Sequence, residues 1–160
     1  MGPCLPTPPE PQSLDLDLLD RELRVAPAVT ALLFRKVIAS GACTRLSALR
    51  QMGKTITLDP ILESGAWTDA AITLIGFELP SWSVRRVCED GEWLCSLSRQ
   101  PNLPIFLDEL AEGSHAVLAL AVLRAFVAAR CRSAATQQVA APAPLALPRP
   151  AYVFCCDNLA

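Results

Sequence analysis

Seven cysteines (Cys4, Cys43, Cys88, Cys95, Cys131, Cys155 and Cys156), one histidine (His115) and the carboxylates Glu89, Asp90 and Glu92 are the residues of this chain from which reactive chemistry could be built. A single histidine excludes any site that needs two. A Cys-His nucleophile pair would require Cys88 or Cys95 beside His115. Both cysteines lie in the alternating apolar stretch that carries Trp82 and Trp93, so they read as small core hydrophobes. The three carboxylates sit at a turn, where nothing nearby desolvates them, and they read as solvated. Cys155-Cys156 with Asp157 could bind a soft metal or oxidise, but adjacent cysteines cannot supply a tetrahedral site alone. The cysteine count is odd, no C-x-x-C occurs and the apolar stretch Val25 to Ile38 does not read as a clean signal peptide, so free thiols in a reducing cytoplasm are expected. Phosphate-loop, dinucleotide, zinc-protease and nucleophile-elbow motifs are absent from the sequence. The expectation is therefore no catalytic residue, no metal ligand and no cofactor.

The element that must position these residues is a β-hairpin from Trp82 to Arg99. Asp90-Gly91 between two alternating apolar runs predicts a type I′ turn, which needs positive φ at both central residues. With Glu89 opposite Glu92, the pairs would be Cys88 with Trp93, Arg86 with Cys95, Val84 with Leu97 and Trp82 with Arg99. Side chains alternate along a strand, so Trp82, Val84, Cys88, Trp93, Cys95 and Leu97 would share a buried face with Arg86 and Arg99. A buried guanidinium needs a carboxylate or an aromatic plane, and stacking on Trp82 or Trp93 would satisfy Arg86. The same three residues, Arg86, Trp82 and Trp93, could instead present a cationic, aromatic-lined surface to a partner. They are the interaction candidates.

A two-stranded hairpin is marginal in water, so the tryptophans need cover. Upstream, Thr68 is placed to cap a helix reaching Glu78, with Ala71, Ile72, Ile75 and Leu79 on one stripe and Pro80 beyond it. Downstream, Ser114 is placed to cap a helix from His115 to about Arg132. That helix has almost no polar side except Arg124, and a helix apolar all round is buried on more than one side or lies in an interface. Its apolar run, Ala116 to Ala129, is 14 residues and contains Arg124, short of the roughly 20 needed to cross a membrane.

Prolines divide the remainder. Pro3, Pro6, Pro8, Pro9 and Pro11 open the chain, and Pro142, Pro144, Pro148 and Pro150 crowd its end. The expected organisation is a weakly ordered extension over 1–57, an α+β module over 58–133 and a proline-rich tail over 134–160. Within the extension, residues Ser13 to Leu23 alternate leucine with acid, and Ala28 to Ser40 could form a helix with Leu33 and Val37 on one side. Met52 lies where a compact domain would begin, with Asp59 capping and Pro60 at the first helical position of the next element.

Net charge is −2, distributed as +2 over 1–57, −4 over 58–133 and zero beyond. An acidic module matches nucleic acid poorly. The exception is Arg21 to Thr57, where seven bases face Glu22 alone. That stretch carries the alternative reading of an arm for nucleic acid or anionic membrane, although its bases form no continuous run.

Trp67-Thr68-Asp69-Ala70-Ala71, Glu78-Leu79-Pro80 with Trp82, Arg85-Arg86, Asp90-Gly91-Glu92-Trp93 with Cys95, Leu97-Ser98-Arg99-Gln100, Leu103-Pro104, Ser114-His115-Ala116 and Cys155-Cys156-Asp157-Asn158 resemble a group of small uncharacterised proteins of rhizobial alphaproteobacteria. The resemblance covers about Leu58 to Arg132 and the tail, and implies no activity. The expectation is an α+β module of helix, β-hairpin and helix that self-associates as a homo-oligomer or binds an unknown protein partner. Nucleic acid is not the expected partner, no transmembrane segment is expected, and a thiol or metal-binding protein is the third reading.

Overall fold

The computed structural model describes residues 11–53 and 58–139. Along the chain run α1 (Pro11–Val25), α2 (Ala31–Ala39), α3 (Thr44–Gln51), α4 (Leu58–Glu63), α5 (Trp67–Glu78), β1 (Ser83–Asp90), β2 (Glu92–Ser98), β3 (Ala111–His115) and α6 (Leu118–Val139), with a 3-10 turn at Ile105–Leu107. The strands form one antiparallel sheet in the order β1-β2-β3. The fold is α+β. Among the described residues no helix is long and apolar enough to cross a membrane.

Helix α6 is the centre of the core. Ala119, Leu120, Ala121, Val122, Leu123, Ala125, Phe126, Val127 and Ala129 are all buried, because β2 and β3 cover the helix on one side and α1 and α5 pack against it on others. An apolar circumference is what such a position requires. The closest approach is at Gly113 of β3, where a Cβ would lie 2.4 Å from the Ala121 carbonyl oxygen and from the Ala125 nitrogen. Glycine on the strand and alanines on the helix let the two backbones meet.

Within the stretch expected to be a weakly ordered extension, residues 11–53 form three helices. Leu16, Leu19 and Leu23 of α1, Leu33, Phe34, Val37 and Ile38 of α2 and Leu46 of α3 are buried in the same core as α6. The leucine-acid alternation was the wrong period: at 3.6 residues per turn Leu16, Leu19 and Leu23 form a stripe, while Leu18 is left exposed. Helix α2 lies within the stretch predicted for it, with Thr30 Oγ1 accepting the Leu33 N–H at 3.1 Å as an N-cap. Its Phe34 ring meets Trp67 of α5 at 6.1 Å between centroids.

Polar groups lock these helices in place. Arg124, the one charged residue of the buried stretch of α6, donates from Nε to Asp20 Oδ1 at 2.9 Å, from Nη2 to Asp20 Oδ2 at 3.3 Å and from Nη1 to the Ser114 carbonyl at 2.5 Å. It therefore joins α1, α6 and β3. Cys43, the N-cap residue before α3, supplies no side-chain cap. The buried Glu78 of α5 takes that role, accepting the Leu46 N–H at 2.6 Å and the Arg45 N–H at 3.2 Å.

Several boundaries differ from the sequence expectation: α5 begins at Trp67 with Ala66 before it, so Thr68 lies inside the helix rather than capping it, and α4 begins at Leu58, ahead of Asp59. Ser114 and His115 belong to β3 rather than to a helix start, and α6 begins at Leu118 and continues to Val139. In α5 the buried stripe is Ala70, Ala71, Leu74, Ile75 and Glu78, leaving Ile72 exposed. The proline-rich tail from residue 140 lies outside the described residues, as do Cys4, Cys155 and Cys156.

Candidate functional site

The hairpin forms where expected, but its turn is tighter. Gly91 has φ +75° and among the described residues no non-glycine residue, Asp90 included, has positive φ, so the type I′ geometry is not adopted. Asp90 faces Glu92, Glu89 faces Trp93, Cys88 faces Leu94, Val87 faces Cys95 and Arg86 faces Ser96. This is a one-residue slip from the predicted pairs. An irregularity at Arg85, between Val84 and Arg86, restores the predicted pair of Val84 with Leu97. A slip of one residue exchanges the faces of β1 relative to β2, and two expectations, for Arg86 and for Cys88, change with it.

Arg86 does not lie on the tryptophan face; it is exposed opposite Ser96. The neighbouring Arg85 is the arginine drawn inward: Nη1 is paired with Asp108, and Nη2 donates to the Leu103 carbonyl at 2.6 Å. These bonds fasten the connection between β2 and β3 and hold Ile105, Phe106 and Leu107 exposed at its apex. Cys88 and Cys95 do not share a face. Cys95 is fully buried toward α6, whereas Cys88, opposite Leu94, is half-buried on the other side of the sheet. Ser96 and Ser98, expected to face water, are buried: Ser96 donates to Glu112 at 2.9 Å, and Ser98 accepts the Gln100 N–H at 2.9 Å.

The three interaction candidates are therefore not brought together. Trp82 is buried at the base of the hairpin, its Nε1–H donating to Ser133 Oγ at 3.2 Å. Its cation is Arg99, whose guanidinium carbon lies 4.9 Å from the ring centroid, rather than Arg86. Trp93 is half-buried near the tip, between Glu89 and His115 on the neighbouring strands. Arg86 stands apart from both on the outer strand.

The thiols are poor nucleophiles where they are buried. Burial pushes the Cys43 thiol up to about 12, with the nearby Glu78 carboxylate adding to the effect, and pushes Cys95 up to about 11. Cys131 is raised by burial and by Asp17 and Asp20. Cys43, Cys88, Cys95 and Cys131 are all free. His115 Nδ1 accepts the Val117 N–H at 2.9 Å, so that nitrogen is committed to the chain connection into α6. Glu89, Asp90 and Glu92 are exposed, and among the described residues no group of three or more His, Cys, Asp or Glu could hold a metal ion.

Among the described residues, three bases of the first helices are bonded within the fold, while Arg21, Arg24 and Arg35 are exposed. Lys36 pairs with Glu22 at 2.5 Å and Arg50 with Asp59 at 2.9 Å, while Arg45 Nη1 donates to the Phe77 carbonyl at 3.3 Å. Arg35, Arg50, Asp59, Glu63 and Trp67 line an open cleft of about 620 Å³ between these helices.

The sheet has two outer strands, and they differ in finish. On β3 the Ser114 carbonyl is taken by Arg124, the Gly113 backbone is pressed against α6 and the strand is five residues long. Among the described residues, the eight residues of β1 have a strand neighbour only in β2. Ser83, Val84, Arg86, Val87, Glu89 and Asp90 are exposed along it, with Val84 at 37% and Val87 at 43%. A long strand with one neighbour offers a row of backbone donors and acceptors to another chain. Among the described residues the β1 edge is the longer of the two outer strand edges. It was legible in sequence as a hairpin edge, but only the third strand reveals which edge stays open. No family model, no curated protein and no solved structure matches the chain.

Proposed function

We propose that the protein is a small cytoplasmic interaction or scaffold protein that self-associates through the β1 edge of its sheet. The observation that carries this reading is the contrast between the two outer strands: β3 is short and its carbonyl is taken by Arg124, while β1 is long, exposed and paired on one side. Strand addition gives affinity through main-chain hydrogen bonds and specificity through alternate side chains. The intramolecular ion pairs of Lys36 and Arg50 weigh against the nucleic-acid reading, while Cys155 and Cys156, which carry the thiol reading, lie outside the described residues.

Light scattering on the full chain tests the proposal. The expected mass is twice 17.2 kDa at high concentration, falling toward 17.2 kDa on dilution. A mass of 17.2 kDa at every concentration would contradict it.

A further inference from the structure

Resting on that reading, we infer that two copies join β1 to β1 in antiparallel register with Cys88 facing the partner's Cys88, so that Arg86 faces the partner's Asp90 at both ends of the contact. The inference follows from symmetry and charge. Two identical antiparallel strands in one sheet are related by a two-fold axis perpendicular to the sheet, because any other axis would turn their side chains to opposite faces. Such an axis passes between two copies of the same residue, so only a few registers exist.

The sequence of β1, Ser83-Val84-Arg85-Arg86-Val87-Cys88-Glu89-Asp90, eliminates most of them. An axis at Arg85, Arg86, Glu89 or Asp90 sets like charges directly opposite each other, which destabilises the pairing. Ser83 and Val84 lie at the strand end beyond the irregularity at Arg85, where regular pairing is interrupted. Two registers remain. With the axis at Val87, the cation meeting the partner's Glu89 is Arg85, which is already bonded to Asp108 and the Leu103 carbonyl. Arg86 would then face Cys88.

With the axis at Cys88, Arg86 faces Asp90. Both are exposed, and neither makes an ion pair among the described residues. The basic half of the strand thus meets the acidic half of its copy. A strand guarded by charges of one sign repels its copy; this one carries opposite signs at positions that the two-fold axis exchanges. The product is a continuous six-stranded sheet, twice the three strands of one copy.

The test uses the full chain. Arg86→Glu places two carboxylates opposite each other at both ends and is expected to weaken the dimer by about tenfold to thirtyfold. Adding Asp90→Arg to that variant reverses both pairs and is expected to restore affinity to within about threefold. In the wild-type chain, diamide should join the facing thiols: it takes one hydrogen from each Cys88 and is reduced as the Sγ–Sγ bond forms. A peptide linking Cys88 to Cys88 can arise only between two copies, since each chain has one. A wild-type monomer would overturn both this register and the proposed function. A dimer insensitive to Arg86→Glu, or one that gives no Cys88–Cys88 peptide, would overturn the register while leaving self-association intact.

Discussion

Removing the Asp20 carboxylate should show whether the first helix belongs to the domain. Asp20→Ala deletes both acceptors that Arg124 holds on α1, at 2.9 and 3.3 Å, and leaves the guanidinium bonded to the Ser114 carbonyl alone. Hydrogen bonds to charged groups contribute about 1.5–3 kcal/mol each at full burial. Here the Arg124 side chain is 14% exposed and Asp20 35% exposed, so solvent screening reduces the pair to about 2 kcal/mol in total. For a chain of this size that corresponds to a fall in Tm of roughly 4–8 °C. Urea unfolding followed by tryptophan fluorescence measures it, with Asp17→Ala as the control: Asp17 is exposed on the same helix and its removal should shift stability by less than about 0.5 kcal/mol. Equal midpoints for the two variants would refute the docking of α1 through Arg124. A double-mutant cycle with Arg124→Met should return a coupling of about 1–2 kcal/mol.

Three other outcomes follow from the packing. Gly113→Ala forces a Cβ into the α6 backbone and should cost at least about 2 kcal/mol, whereas Gly76→Ala, where a Cβ meets open space, should stabilise the chain by about 0.5 kcal/mol; thermal unfolding of both compares them. Glu78→Ala leaves the Arg45 and Leu46 N–H groups at the start of α3 without their acceptors and should cost about 1–2 kcal/mol in urea, with Glu78→Gln intermediate. The buried thiols Cys43 and Cys95 are raised from 9.0 to about 12 and about 11. The folded state therefore holds protons that the unfolded chain releases: stability is level below about pH 8, then falls above pH 9 by about 1.4 kcal/mol per pH unit for each thiol until its folded value is passed. Denaturant midpoints from pH 7 to 10.5 would show the decline, and Cys95→Ala should make it shallower.

The hairpin and the burial of α6 were readable in sequence because each is written in a run of residues: alternation around Asp90-Gly91, and an apolar circumference from Val117 to Ala129. What could not be read was set by partners distant in the chain. The strand Ala111-Glu112-Gly113-Ser114-His115 carries no β-branched residue, since contact with α6 excludes bulk, and so it resembles a loop. The register slip depends on a tight turn with positive φ at Gly91 alone, which places Arg86 outside and Arg85 inside. The docking of α1 hangs on Asp20 and Arg124, separated by 104 residues, although the Leu16, Leu19 and Leu23 stripe was a signal for the helix itself.

Amide hydrogen exchange of β1 at two protein concentrations tests the central claim most directly. Pairing through this edge should slow exchange within Arg86 to Asp90 as the concentration rises through the dimerisation range, while the amides of β3 and α6 stay unchanged. A dimer whose β1 amides exchange at the same rate as those of the dilute chain would contradict the account.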